Sequence, residues 1–458
     1  MCAAKILPAK NAVAAPSVPP ADGGVVAFVA QQDRKLARFG YRSRRFVHVK
    51  VQAGHQDPPA GAKQRLPIQI GFAVDRSGSM SGEKLRLAKL ALATALRQLQ
   101  PADTYVVAWF DDDVNVPEPA QKATSQAIAR TIALCETVEC GSSTALYAGW
   151  RAAFQGIAGV LDHKAVARVL LLTDGQANVG PQSLGELVAT AQEMRHAGVG
   201  TSAIGIGADF NEELLSGIAA AGDGRFYYAA KPEQIPVFVA AELGEAQEVV
   251  ARKVELRARP SQGMKVELLG NLANHWNGTE LCVLLGDLVS DQEIELALQV
   301  TLARVGDAAQ LPLLPHGGPN PRLELTVYEA GEPALVPLQL CEWTYAGNAA
   351  NDTELRNVAV DRLVAGQFAA RARMKAVGLN RRGRYVEAQA ELQDTAKKIA
   401  AYAHGDAELV ALVALLQKEA LELSVYADEL RRKEMYTESS HRSRSKDMTG
   451  GSTRTRPS

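Results

Sequence analysis

Between residues 67 and 244, short apolar runs alternate with segments of helical periodicity. The apolar runs are continuous, which is typical of strands buried on both faces of a parallel sheet. Alternation of such strands with helices is typical of doubly wound α/β folds. The clearest runs are PIQIGFAV (67–74), TYVVAWF (104–110), VARVLLLT (166–173) and VGTSAIGIG (199–207). The pattern predicts a doubly wound, Rossmann-like α/β domain with a mostly parallel sheet.

The segment that follows this domain has the character of an antiparallel β structure. From 249 to 346, strand-like segments, several of them alternating polar and apolar residues, are separated by Gly, Pro and Asn, as expected for half-buried strands. Two earlier segments, VVAFVAQQ (25–32) and RRFVHVKVQA (44–53), have the same character. We therefore predict that residues 23–62 and 249–346 form one β-sandwich-like domain, and that the α/β domain of residues 66–245 is inserted beside it.

The remaining segments are helical or lack a core-forming pattern. Residues 350–436 have helical periodicity with Gly378 and Gly405 between the helices, which predicts a small α-helical region. Residues 1–22 are rich in Ala and Pro, and we expect a disordered leader there. Residues 437–458 carry an excess of Lys and Arg and no apolar pattern, so we expect a disordered basic tail.

Composition argues against several classes of function. The chain has 50 Lys and Arg against 51 Asp and Glu, so it lacks the basic excess typical of nucleic-acid-binding proteins. No run approaches the ~18 consecutive apolar residues of a membrane-spanning helix. Five scattered cysteines are too few for a disulfide framework. We therefore expect a cytoplasmic protein with no nucleic-acid partner and no membrane span.

Oxygen-bearing side chains follow the first strand of the predicted α/β domain. The segment Asp75-Arg-Ser77-Gly-Ser79 comes directly after IQIGFAV. In doubly wound sheets, ligands bind beyond the carboxyl ends of the strands. Two hydroxyl groups and a carboxylate on one tight loop are the hard ligands that suit Mg²⁺ or Mn²⁺. This short motif alone is a weak signal. Asp111-Asp-Asp113, after the next strand, is interpreted as a polar strand end.

Two further segments place oxygen ligands on the same predicted edge. Asp174 follows VARVLLLT, and Thr144 lies in GSSTAL (141–146), where another helix begins. Together these residues resemble the metal-ion-dependent adhesion site of the von Willebrand factor type A (VWA) family, in which D-x-S-x-S is followed by a Thr and a later Asp. The resemblance covers about residues 66–245. Thr144 is preferred to its neighbour Ser143 because G-x-T-x-L before a helix matches the family better.

The resemblance implies a VWA fold and one divalent ion, Mg²⁺ or Mn²⁺. It implies that Ser77, Ser79 and Thr144 bind the ion directly. It also implies that Asp75 and Asp174 act largely through water.

An ion held mainly by neutral hydroxyls keeps much of its charge and can accept a carboxylate from another protein. We therefore interpret the chain as a metal-dependent, adhesion-type protein-interaction module in an intracellular scaffold, without enzymatic activity. Its partner is expected to present an Asp or Glu. The β and helical regions loosely resemble extensions of intracellular VWA proteins. Two alternatives stay open: a metal-dependent hydrolase, which requires a general base and a substrate pocket, and a co-subunit of an AAA+ ATPase system.

Overall fold

The structure is a computed structural model that describes residues 24–55, 66–306, 320–446 and 452–455. The leader predicted for residues 1–22 lies outside these ranges. The described chain begins with three strands: β1 (Val25–Gln32), β2 (Leu36–Arg38) and β3 (Ser43–Ala53).

Residues 68–247 then form an α/β domain. In chain order its elements are β4 (Ile68–Asp75), α1 (Glu83–Gln98), β5 (Thr104–Phe110), β6 (Val114–Asn115), β7 (Gln121–Lys122), α2 (Ser125–Glu136), α3 (Leu146–Ala158), β8 (Val166–Thr173), α4 (Leu184–His196), β9 (Gly200–Ile206), α5 (Glu212–Ala221), β10 (Asp223–Ala229) and α6 (Ile235–Gln247). The sheet has the order β10-β9-β8-β4-β5-β6, with β7 also paired to β5. Its five longer strands are parallel, and β6 and β7 are antiparallel to β5. The predicted fold class is confirmed.

Helices cover both faces of this sheet, which is why β4, β5 and β8 are buried along their whole length. Phe72 packs into an apolar cluster with α1, α2 and α6, while Ala73 packs into a second cluster with α3, α4 and α5. Helix α3 lies very close to the sheet at Gly149. A Cβ atom at Gly149 would lie 2.2 Å from the Phe110 ring, so only glycine permits this approach.

The second half of the chain returns to β structure. Its strands are β11 (Val249–Pro260), β12 (Lys265–Leu268), β13 (Asn274–Trp276), β14 (Leu281–Val289), β15 (Glu293–Leu302), β16 (Arg322–Glu329), β17 (Glu332–Pro333), β18 (Gln339–Glu342) and β19 (Thr344–Ala346). One sheet has the order β1-β3-β15-β12, and a second has the order β13-β14-β11-β16-β17, with β18 also paired to β16. Strand β19 pairs with β2.

The early strands and the late strands share one core. Strand β3 pairs with β15 from Ser43 opposite Leu302 to Gln52 opposite Glu293. Apolar residues of both sheets form a single cluster, to which β3 contributes Val47, Val49 and Val51. The α/β domain is therefore inserted between strands of one β sandwich. The alternation in residues 44–53 predicted that this segment joins the later β domain, and β3 does so.

Five helices follow: α7 (Asn348–Thr353), α8 (Val358–Arg381), α9 (Tyr385–Ala403), α10 (Ala407–Glu422) and α11 (Glu429–Ser443). Helices α8, α9 and α10 share an apolar cluster with Met435 of α11. Helix α11 also contacts α5 of the α/β domain. Within the described ranges, no helix combines the length and the apolar character needed to cross a membrane.

The disordered tail predicted for residues 437–458 is wrong for the part that the structure describes. Helix α11 continues into this segment, and Arg444 is buried and donates a hydrogen bond to the Gly224 carbonyl at 2.8 Å. Ser452 is also buried and donates its backbone N–H to Glu245 at 2.9 Å. The polar composition misled the prediction because these side chains are satisfied by distant groups of the α/β domain and not by water.

Candidate functional site

Asp75 lies at the carboxyl end of β4 and is fully buried. Its carboxylate holds two neighbouring segments in place. Oδ1 accepts a hydrogen bond from the backbone N–H of Ser77 at 2.8 Å, and Oδ2 accepts one from the Thr173 hydroxyl at 2.5 Å. Asp75 therefore orders the loop that follows β4 and fixes it to the end of β8.

The loop after Asp75 makes one turn of 3₁₀ helix at Gly78–Met80, and the buried Met80 side chain anchors it to the core. The turn brings the two serine hydroxyls together, with Ser77 Oγ and Ser79 Oγ 3.1 Å apart. Ser79 Oγ in turn donates to Oδ1 of Asp174 at 2.6 Å. The D-x-S-x-S loop and the end of β8 thus meet at one edge of the sheet.

Thr144 reaches the same place from the segment before α3. A Cβ atom at Gly175 would lie 3.4 Å from Thr144 Oγ1 and 3.7 Å from Ser79 Oγ, so both hydroxyls border one small space that a side chain at position 175 would fill. The Thr144 backbone is held by Asn178, whose Oδ1 accepts its N–H at 2.7 Å. Ser143 is engaged differently, because its N–H donates to Asp112 at 2.9 Å.

The structure therefore brings all the predicted site residues to one edge of the sheet. They are Asp75, Ser77, Ser79, Thr144 and Asp174. Ser79 is exposed, whereas the other four are buried. Burial raises the pKa of the Asp75 carboxyl to about 6; hydrogen bonds from Thr173 and Ser77 oppose this rise, and the Asp174 carboxylate adds to it.

Sequence reasoning missed two cations at this edge. The ammonium group of Lys84, in the first turn of α1, donates to Oδ2 of Asp174 at 2.5 Å and to the Ser79 carbonyl at 3.3 Å. Arg76, inside the loop motif, pairs with Asp111 at 3.0 Å. The Arg76 position within D-x-S-x-S was visible in the sequence. The Lys84 contact was not, because its partner is 90 residues away.

The donor set fits a divalent ion that prefers oxygen. The hydroxyls of Thr144 and Ser79 border the space beside Gly175, and Ser79 in turn contacts the Ser77 hydroxyl and the Asp174 carboxylate. Mg²⁺ and Mn²⁺ favour such oxygen ligands. In the described ranges no three His, Cys, Asp or Glu residues form a metal-binding group. A metal centre at this edge therefore depends on the hydroxyl groups as ligands.

Comparison with known proteins identifies the α/β domain. Residues 69–241 match the von Willebrand factor type A domain. "Uncharacterized protein YfbK" of Escherichia coli K12 is 25% identical over 249 residues, which cover 52% of this chain and 43% of that protein. The chain thus matches less than half the length of this curated relative.

Two solved structures resemble nearly the whole chain. The von Willebrand factor type A protein from Catenulispora acidiphila has a TM-score of 0.65 at 18% identity and covers 87% of this chain and 91% of its own. The ArnB paralog VWA2 from Sulfolobus acidocaldarius has a TM-score of 0.57 at 15% identity and covers 90% of this chain and 97% of its own. The chain therefore contains a VWA domain, as the motif predicted, and VWA domains are generally metal-dependent protein-interaction modules.

Proposed function

We propose that the carboxyl edge of the VWA sheet binds a divalent cation, Mg²⁺ or Mn²⁺, and uses it to capture a carboxylate of another protein. Ser77, Ser79 and Thr144 would hold the ion, with Asp75 and Asp174 behind them. The observation that carries the proposal is the small space beside Gly175, which the hydroxyls of Thr144 and Ser79 both border. When bound, the ion supplies a positive charge to which an anionic ligand can attach.

The charges at the site support a cation of more than one charge. Asp75 and Asp174 are both fully buried, and a buried carboxylate is costly unless it is paired with a cation or a metal. Lys84 supplies one positive charge, and it is placed on Asp174. Among the residues that the structure describes, Asp75 receives only neutral donors, from Thr173 and Ser77. A divalent ion near both carboxylates would supply the charge that these contacts leave out.

The same arrangement supports binding of a partner rather than catalysis. Three of the five side chains are neutral hydroxyls, so an ion bound there would keep much of its charge for an incoming Asp or Glu. The exposed Ser79 lies where a partner has access. The VWA domain is inserted between strands of a β sandwich, and α11 of the helical region contacts its α5. A role as an intracellular scaffold stays a prediction.

A hydrolytic role has less support. It would require a free general base beside the ion. Both carboxylates of the site are already engaged, Asp75 by Thr173 and Ser77 and Asp174 by Ser79 and Lys84. Action beside an AAA+ ATPase would be a special case of protein binding, and it stays a prediction.

Metal binding is tested first. Mg²⁺ and Mn²⁺ are titrated into the full chain after EDTA treatment and its removal, and the heat of binding and the melting temperature of the protein are measured. A ligand that binds only the native state raises the melting temperature by mass action. Thr144→Ala should remove saturable binding, whereas Ser143→Ala, one residue away and engaged by Asp112, should retain it. Equal binding by both variants would contradict the assignment.

The partner is tested second, by affinity capture in Mg²⁺ and then in EDTA. A carboxylate-dependent partner should be lost in EDTA, return with Mg²⁺, and fail to bind the Ser77→Ala, Ser79→Ala double variant. A principal partner that survives EDTA would show that recognition lies in the β sandwich or the helices.

A further inference from the structure

A cleft of about 430 Å³ opens between the VWA domain and the β sandwich. On one side it is lined by Arg168, Gly200 and Asp223, which lie near the amino ends of β8, β9 and β10. Leu284 and Gly286 of β14 line the other side. The cleft is therefore at the opposite end of the sheet from the candidate metal centre. Its volume lies within the range of small-molecule sites, roughly 300–1,000 Å³.

Three cations that line the cleft have no carboxylate partner among the described residues. Arg195, in the last turn of α4, contacts only His196 at 3.4 Å, and its Nη1 is buried without a hydrogen-bond partner. Arg252 donates to two carbonyl groups, which do not neutralise its charge, and its Nε is also buried without a partner. The side chain of Lys253 is exposed at the cleft.

Three carboxylates also line the cleft: Glu255, Asp287 and Asp223. Glu255 accepts a hydrogen bond from Arg257 at 2.7 Å. Asp287 accepts the backbone N–H of Lys253 at 3.0 Å. Burial, and then the nearby Asp287, raise the pKa of Asp223, while Arg168, Arg195 and Arg444 oppose this rise. Glu255 is paired with Arg257, and Arg168 is paired with Glu242 outside the cleft lining. Three cations, Arg195, Arg252 and Lys253, therefore remain against two carboxylates, Asp223 and Asp287, and the cleft keeps an excess of positive charge.

The backbone around the cleft includes residues in the left-handed region. Three non-glycine residues that line it have positive φ: Asp223 at 57°, Lys253 at 49° and Ala330 at 51°. Each conformation is unfavourable for a residue with a side chain. Ala330 lies in the two-residue turn between β16 and β17, and Lys253 lies where the register of β11 and β14 shifts, so turn and bulge geometry account for both.

We propose that this cleft binds a small phosphate-bearing molecule, held by Arg195, Arg252 and Lys253. Guanidinium groups present paired donors that match phosphate oxygens, and they retain their charge when partly buried. Arg195 belongs to the VWA domain, and Lys253 belongs to β11 of the sandwich. A bound phosphate would therefore bridge the two domains and oppose their separation. The inference does not depend on the proposed metal centre.

The test uses the full chain with inorganic pyrophosphate as the probe, in EDTA so that no metal contributes. Isothermal titration should show saturable binding that sodium chloride of equal ionic strength does not reproduce. Arg195→Ala and, separately, Lys253→Ala should each raise the Kd at least ~10-fold. Lys397→Ala on the exposed face of α9 should leave the Kd unchanged.

Lys253 is exposed, so its replacement tests binding even if Arg195→Ala impairs folding. Absence of saturable binding to the native chain would overturn the proposal. So would an unchanged Kd in Lys253→Ala, or a loss of binding in Lys397→Ala of the same size.

Discussion

Replacing Glu242 by Gln tests how much the buried ion pairs between α6 and the VWA sheet stabilise the domain. Glu242 on α6 is 1% exposed and accepts hydrogen bonds on both oxygens. Oε1 accepts from Arg168 at 2.8 Å and from Ser202 at 2.7 Å, and Oε2 accepts from the Tyr227 hydroxyl at 3.1 Å. Arg225 lies 3.8 Å from Oε2. The carboxylate is thus the common partner of two buried guanidinium groups.

The pKa of Glu242 provides the size of the effect. Burial alone would raise this pKa, but Arg168 and Arg225 outweigh burial and lower it to about 2, from an ordinary value of 4.5. Each pKa unit corresponds to ~1.4 kcal/mol, so ionisation of Glu242 contributes about 3 kcal/mol to the free energy of unfolding. Because the folded-state pKa is depressed, this contribution is complete above pH 4.5 and is lost as the pH falls towards 2.

Glutamine keeps the shape of the side chain but cannot ionise. We expect Glu242→Gln to lower the free energy of unfolding by about 3–5 kcal/mol at pH 7, the range for breaking a buried ion pair. The deficit should shrink as the pH falls from 4.5 to 3, because Glu242 of the parent protein becomes protonated in the unfolded state while it stays ionised in the native state. Urea unfolding, followed by the fluorescence of the buried Trp109 and Trp150, measures the deficit at pH 7 and its decrease at low pH.

The control is Glu434→Gln, since Glu434 is half exposed and lies 3.7 Å from Arg431. A surface substitution of this kind should change the free energy of unfolding by less than about 0.5 kcal/mol. The reasoning is refuted if the Glu242→Gln deficit is below about 1 kcal/mol at pH 7. It is also refuted if the deficit is as large at pH 3 as at pH 7.

Three further substitutions test other parts of the fold. Lys84→Gln removes the ammonium group that competes with the metal for the Asp174 carboxylate. The Kd for Mg²⁺ should therefore fall roughly fivefold in a calorimetric titration, which is equivalent to about 1 kcal/mol. Gly149→Ala places a Cβ 2.2 Å from the Phe110 ring and should cost about 1–3 kcal/mol in urea unfolding. Lys433→Met removes a buried partner of Glu212 at 2.9 Å and should cost about 3 kcal/mol, which lowers the melting temperature.

Each of these has a matched control. Arg86 is also in the first turn of α1, and within the described part of the chain its side chain pairs only with Glu83, so Arg86→Gln should not change metal affinity. Gly185→Ala introduces a Cβ into open space and should not destabilise the chain. Lys418→Met removes an exposed ammonium group and should leave the melting temperature nearly unchanged. A substitution that behaves like its control would contradict the corresponding contact.

The α/β fold and the oxygen-rich edge were accessible from the sequence because both depend on local order. Continuous apolar runs indicate strands buried on both faces, and the helices between them follow from periodicity. Ser77 and Ser79 converge because they share one tight turn, which a few consecutive residues determine. That β3 joins the later β domain was predictable from alternation, since its strands have one buried face, whereas its partner β15 was not predicted.

Only the tertiary structure decided which distant groups meet. Lys84 reaches Asp174 across 90 residues, and Arg444 reaches Gly224 across 220. Neither contact leaves a periodic signal in the sequence. A charged residue is interpreted as solvent-exposed unless the structure shows that it is buried beside a partner. The predicted disordered tail failed for this reason. The cleft between the two domains could not be predicted for the same reason. Its cations come from both domains, and only the packing of the β sandwich against the VWA domain brings them together.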